Sequence, residues 1–321
     1  MLDHTDVQFD EVLTKKAIAL LEDRDDFVVA NGAIPMIYTD KFNGNYKKYK
    51  DADMRRRGIA LRAGGEEFKK FTLGLEPKVF NCKQYGVDFP VDDRDRLEDS
   101  LETAGNKMVE DAMFNYDAKL AELMVAGNFG LDITGVDSTP TGNQCLKWTN
   151  ANSNPIADID KAKSAIKAKI GRNPDTLIIT EDVFEALKQN AHILGTVLRT
   201  DADRIVTVDK LAYLFGVKNV YVMQAVETTT NEGQETQTID FLAKGKALLY
   251  FRGNVDGATN PSTIKAFVND QVYGRGTKGI ILQTYRLPLI ASDVVRVVQD
   301  FDIVIEIAGG GALFTSLVLS E

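Results

Sequence analysis

The sequence predicts an α+β fold of unlike parts, and three observations carry that reading. A helical periodicity runs from Val91 to Ala126; short helices and strands alternate from Asn154 to about Asn260; and the chain from Ser262 to Leu319 is mostly strand, closing in VVRVVQDFDIVIEIAGGGALFTSLVL. With 321 residues and 44% hydrophobic side chains, the chain can bury a sizeable core without cross-links.

Phe9 to Arg24 reads as a short amphipathic helix with Val12, Ala17, Leu20 and Leu21 on one side, followed by a loop through Asn31-Gly32. From Met36 to Lys70, Tyr38, Phe42, Tyr46 and Tyr49 alternate with charges, and Gly44, Gly58, Gly64 and Gly65 interrupt the run. That is the texture of a long two-stranded excursion, and a loop of such length implies a task outside its own domain. Phe71 to Val91 supplies strands. In the long helix that follows, Leu97, Leu101, Ala104, Met108, Ala112, Tyr116, Leu120, Leu123 and Met124 recur at three and four residues, and Gly127 is the expected stop. About 36 residues at 1.5 Å each make a rod of roughly 54 Å.

Beyond the Gly/Thr/Asn-rich link Gly127 to Asn154, a helix is expected over Pro155 to Ile170 with Ile156, Ile159, Ala162, Ile166 and Ile170 on one face, ended by Gly171. Thr176 to Thr180 reads as a buried strand, Glu181 to Gln189 and Asp209 to Phe215 as helices. Further strands are expected at Arg204 to Thr207, Val217 to Met223, Ile239 to Leu242 and Ala247 to Phe251. The tract Glu227 to Thr238 has nothing apolar to bury and reads as an exposed hairpin tip around Glu232, Gly233 and Gln234.

Charge is distributed unevenly. Lys41 to Lys70 holds ten basic residues (Lys41, Lys47, Lys48, Lys50, Arg55, Arg56, Arg57, Arg62, Lys69 and Lys70) against four acids, and Val91 to Ala126 holds ten acids against four basic residues. A positive arm and a negative rod suggest two halves of a contact repeated between copies of one chain, with Asp92, Asp93, Asp95, Glu98, Asp99 and Glu102 at the rod's start. Those acids also suit the positive end of a helix dipole. A net charge of −9 argues against a nucleic-acid reader, which needs a concentrated basic surface.

No catalytic motif stands out. Gly274-Arg275-Gly276-Thr277-Lys278-Gly279 spells G-x-G-x-x-G, but a β-branched strand follows where a dinucleotide site needs a helix. It is better read as a glycine-rich turn, with Arg275 and Lys278 at a tip that meets a neighbouring subunit. The acids from Asp92 to Asp99 lack the glycine-spaced calcium-loop pattern, so no metal is assigned. His4 and His192 are the only histidines, and Cys82 and Cys145 stand far apart; no zinc site, disulfide framework or cofactor is implied. No apolar run approaches the roughly 20 residues of a membrane helix, and no signal-peptide pattern opens the chain, so synthesis in a cytoplasm is the expectation.

Taken in order, the residues resemble the major capsid proteins of tailed double-stranded DNA phages, the Hong Kong 97 type fold. The most specific stretch is WTNANSNPIADIDKAKSAIKAKIGRNPDTLIITEDVFEAL, Trp148 to Leu187; LRAGGEEFKKFTLGLEPKVFNCKQYGVDFPV, Leu61 to Val91, and DVVRVVQDFDIVIEIAGGGALFTSLVL, Asp293 to Leu319, match as well. The resemblance implies an N-terminal arm over residues 1–34, an extended E-loop over 35–70, and a peripheral domain from 71–153 and 261–321. That domain would carry a spine helix at 91–126, and residues 154–260 would form an axial domain.

On the same resemblance the chain is a structural protein that self-assembles, as pentamers and hexamers, into an icosahedral shell around double-stranded DNA. It would be made in a host bacterial cytoplasm and reside in the virion, with portal and decoration proteins as partners and no membrane. The E-loop of one subunit would cross the peripheral domain of its neighbour, which gives the charge opposition a place to act. The short N-terminal arm implies a separate scaffold protein or unaided assembly. Lys47, Lys48 and Lys50 are candidates for a covalent cross-link, although an uncross-linked shell is the expectation. An encapsulin-like nanocompartment shell is the alternative within the fold, and a soluble α/β enzyme with a carboxylate site the alternative outside it.

Overall fold

The computed structural model describes residues 8–22, 27–50, 57–62, 64–70, 72, 74–94, 101–200, 205–228, 230, 238–253, 260–269 and 278–319. Two six-stranded sheets carry the mixed α+β fold. The first is built on β15 (Ser292–Ile305), which pairs antiparallel with β14 (Ile280–Leu287), with β5 (Lys83–Asp92) and, through its last residues, with β13 (Ile264–Asn269). β2 (Met36–Thr39) adds in parallel to β13, and the short β1 (Gln8–Phe9) pairs with β14.

One face of this sheet is covered by α1 (Glu11–Glu22) and the long α2 (Leu101–Ala126). Val295, Val297, Gln299 and Phe301 alternate toward that face, as the two-residue period of a strand requires. Tyr116 of α2 packs on Phe301 with ring centroids 4.3 Å apart, and Gln299 Nε2 donates to the Ala112 carbonyl at 2.7 Å.

The second sheet has the order β7 (Gln144–Leu146), β6 (Asp132–Val136), β16 (Gly311–Thr315), β12 (Ala247–Tyr250), β8 (Thr176–Thr180), β9 (Asn219–Met223). It lies between two cores. Ile178, Leu248 and Leu313 join the core of α2 and the first sheet, while Leu177, Ile179, Leu249 and Phe314 face α3 (Pro155–Ile170), α4 (Glu181–Gln189), α5 (Ala191–Thr200) and α6 (Val208–Phe215). Burial on both faces is the reason Thr176–Thr180 reads as TLIIT rather than an alternating strand. Trp148, fully buried, packs on Phe314 and donates its indole N–H to Asp158 at 3.2 Å.

Several expectations are corrected. Strand β5 runs through Val91 and Asp92, so the long helix does not begin at Val91; its described part starts at Leu101. Met36 to Thr39 belongs to the first sheet, and the projecting hairpin proper is β3 (Asn43–Tyr49) with β4 (Leu75–Asn81). Ile205 to Thr207 is irregular rather than a strand, because Thr207 serves as the cap of α6, its hydroxyl accepting from Lys210 N. Helix α5 is absent from the sequence reading; its start is organised by Asn190, whose Oδ1 accepts from His192 N and Ile193 N. The second sheet also draws β6, β7 and β16 from segments that the sequence reading placed in the peripheral domain.

Candidate subunit interface

The β3–β4 hairpin lies against the face of the first sheet opposite α2. Its seven-residue strands are held at the base by Phe80, which stacks on Phe267 at 4.6 Å, and by Tyr46, 4.9 Å from the same ring. Cys82 N donates to the Phe42 carbonyl and Asn81 N to Asp302 Oδ2. Tyr46 and Lys48 share a face of β3, so the lysine is carried inward with the tyrosine. Lys48 is 4% exposed and its Nζ donates to the Glu306 carbonyl at 3.0 Å, beside the buried Lys265–Glu306 pair. Burial and the nearby acids push the Tyr46 hydroxyl far above its ordinary range. Lys48 is therefore committed within its own subunit and is not presented to a neighbour. Lys47 and Lys50 are exposed.

At the far end of the hairpin Lys50 N bonds the Gly74 carbonyl, and residues 57–62 and 64–70 are nearly all exposed. Ile59 is 91% exposed, Leu61 fully exposed and Phe68 74% exposed. Arg62 is held locally over the Phe68 ring, with its centroid distance 4.5 Å, and by the Glu66 carbonyl. Arg57, Lys69 and Lys70 have no partner among the described residues. Arg55 and Arg56 lie outside the described residues.

The acids of the rod are largely answered inside the chain. Asp92 accepts from Arg94 N at 2.9 Å, and Asp93 receives a two-pronged contact from Arg286 at 2.6 and 2.5 Å. Glu102 pairs with Lys16 of α1 at 2.6 Å, and Glu122 with Lys119 at 2.6 Å. Asp117 is fully buried and accepts from Val28 N and Val29 N at 2.9 and 2.8 Å; desolvation pushes its carboxyl up to about 7. Counting charge along the sequence missed these partners because Lys16 and Arg286 are remote in the chain. Asp95, Glu98 and Asp99 lie outside the described residues.

Of the expected loop tips, Glu232, Gly233, Gln234 and Arg275 also lie outside the described residues. The hairpin that leads to the first three is formed, as Val226–Thr228 paired with Ile239–Phe241. Beside it a groove of about 600 Å³ separates it from α2, lined by Phe27, Lys107, Glu110, Asp111, Phe114 and Val226. Lys278 is in a left-handed turn at φ 51°, and its carbonyl accepts from Tyr116 Oη at 2.7 Å. A strand follows it, so no helix N-terminus stands behind the glycine run.

Among the described residues no three His, Cys, Asp or Glu converge to hold a metal ion, and no helix is long and apolar enough to cross a membrane. Cys82 and Cys145 are both buried, and burial pushes each thiol up to about 12, far from a reactive thiolate.

Comparison with known proteins agrees with this architecture. The chain is 27% identical over 227 residues, 68% of its length and 69% of the relative's, to the major capsid protein of Burkholderia phage BcepMu. A phage-related protein from Bordetella bronchiseptica RB50 superposes with a TM-score of 0.71 at 16% identity, over 96% of this chain and 97% of that one. The mature capsid of bacteriophage PhiM1 (TM-score 0.55, 10% identity, 88% and 85% covered) and a virus-like particle from Pyrococcus furiosus (0.55, 12%, 94% and 98%) share the fold. The Hong Kong 97 type fold expected from the sequence is thus the fold of the chain. The family model described as phage capsid protein matches residues 78–296, more than half of the sequence, and the chain belongs to the phage capsid protein family.

Proposed function

We propose that the chain is the major shell subunit of a phage head, assembling in many copies, as pentamers and hexamers, into a closed icosahedral container for double-stranded DNA. The observation that carries the reading is the arm between residues 57 and 70: Ile59 and Leu61 stand in solvent, and Phe68 is covered only by Arg62 of the same arm. An exposed apolar group of this kind is an interaction surface. The arm of one copy meeting a different surface on the next makes a heterologous contact, and such contacts close when the rotation between copies closes. Phage capsid family membership supports the same role. On this reading the protein is structural rather than catalytic, it resides in the virion after synthesis in the host cytoplasm, and its partners are other copies, a scaffold, a portal and the packaged DNA.

Electron microscopy and sedimentation of the purified chain test the proposal. Closed particles are the expected result, with nucleic acid rather than enclosed protein inside those recovered from infected cells. Stable monomers or dimers at every salt concentration and pH, without particles, overturn it.

A further inference from the structure

The hairpin of Val226–Thr228 and Ile239–Phe241 stands beside α2 and pairs with neither six-stranded sheet. Two recesses, of about 600 and 420 Å³, lie between it and the helix, and Glu227 borders both. Together they follow one face of α2 from Lys107 to Ala126, roughly 28 Å at 1.5 Å per residue.

The floor of this trough is apolar and has the spacing of a helix seat. Phe114, Ala118, Ala121 and Val125 recur along α2 at three and four residues, and Val226 and Phe241 line the hairpin side. Val125 is 64% and Val226 46% exposed, so the described chain leaves this floor in water. The small Ala118 and Ala121 at its middle let a second helix approach, with its own ridge of side chains settling between Phe114 and Val125.

Both banks are acidic. Asp111 and Glu122 stand on α2, and Glu227 and Asp240 on the hairpin. Lys119 meets Glu122 and Lys244 meets Asp240, whereas Asp111 and Glu227 have no ion pair among the described residues. Lys107, the base in the lining, stands over the Phe89 ring at 5.7 Å. The segments that adjoin the trough in the sequence bring no balance: residues 23–26 and 229–237 hold five acids and one arginine.

These features select the occupant. Acidic banks repel phosphate, so packaged DNA does not fit. An apolar floor of helical spacing between two negative banks fits an amphipathic helix whose apolar stripe is flanked by Lys or Arg. We infer that the trough between α2 and this hairpin seats a basic amphipathic helix of a second protein, about 18 residues long. Apolar contact supplies most of the affinity, and the charges set partner choice and encounter rate, because each exposed ion pair contributes little. The inference goes beyond the shell reading, which assigns no surface to a second protein.

The test uses the purified full chain and an amidated peptide of about 18 residues, with Leu at helical spacing, Lys on both flanks and a benzophenone on the apolar face. Saturable binding is expected, with light-induced attachment to residues 107–126 or 225–243. A peptide of the same composition in scrambled order, and one with Glu in place of Lys, should each bind at least about tenfold more weakly. Val125→Glu, and separately Asp111→Lys combined with Glu227→Lys, should each weaken binding of the first peptide about tenfold while leaving denaturant unfolding unchanged. Equal binding of the scrambled peptide, which would reveal charge attraction alone, overturns the inference. So do equal binding of the acidic peptide, attachment elsewhere, no saturable binding, or indifference to both variants. Particle formation by the chain without peptide is scored separately, so either reading can fail while the other stands.

Discussion

Lys265 Nζ lies 2.6 Å from Glu306 Oε2, with side chains 2% and 0% exposed, and this ion pair sits where the projecting hairpin meets the first sheet. Desolvation moves both groups toward neutrality, lowering the lysine pKa and raising that of the glutamate, while their contact opposes the shift. Glu306 Oε1 has no partner, so the pair is held by position rather than by full satisfaction.

Removing one member strands the other. Glu306→Gln or Lys265→Met is expected to cost about 3–5 kcal/mol in denaturant unfolding, whereas Lys265→Met combined with Glu306→Leu should recover most of it. A double variant as unstable as either single one would show that the pair contributes more than mutual neutralisation.

Asp117 predicts a pH dependence. Its carboxyl in the folded chain titrates near 7, pushed up by burial, against about 3.9 unfolded. The folded state therefore holds the proton more tightly, and this group's contribution is fully present below about pH 4, declines as pH rises to about 7, and is constant above. Asp117→Asn should flatten that part of the profile of melting temperature against pH. It should also cost about 1–3 kcal/mol at pH 5, because an amide cannot accept from both Val28 N and Val29 N.

Gly130 and Gly309 cross at a distance that permits no side chain: a Cβ on Gly130 would lie 2.3 Å from Gly309 Cα, at φ +96°. Gly130→Ala is expected to destabilise the fold by more than about 2 kcal/mol in chemical denaturation, since both backbone strain and a clash between main chains must be relieved.

The arm should behave in the opposite way. Replacing Ile59, Leu61 and Phe68 together by Ser is expected to leave subunit unfolding within about 0.5 kcal/mol of the parent while abolishing particles in sedimentation. Reversing Arg55, Arg56 and Arg57 to Glu should likewise spare folding but impair assembly and alter its salt sensitivity. Single exposed ion pairs contribute only about 0–1 kcal/mol, so an unchanged salt response would remove the arm's charge from the contact.

Local signals were legible where they are short-ranged. Asn154 caps α3 through Ala157 N at 3.2 Å, and Gly171 ends it at φ +70°, as the residues alone indicate. The start of the long helix was not, because Asp92 and Asp93 suit a helix N-terminus as well as the end of a strand, and the pairing of Asp92 with Ser292, followed by Asp93 N donating to the Ala291 carbonyl, selects the strand. Lys48 was misread for a related reason. Charge alone places a lysine outside, yet its two-residue offset from Tyr46 already put it on the face that packs inward.

Periodicity and turn residues were enough for the kind of elements, most of their limits, the long helix and, through extended resemblance, the fold. These depend on periodicity, caps and turns among near neighbours, which a single chain displays directly. Only the tertiary structure decided which charges are still available. Arg286 answers Asp93, Lys16 answers Glu102 and Glu306 takes in Lys48 and Lys265, all across long separations in the chain, while Lys69 and Lys70 stay exposed. Electrostatic pairing depends on distance and burial, and neither is a property of position in a sequence.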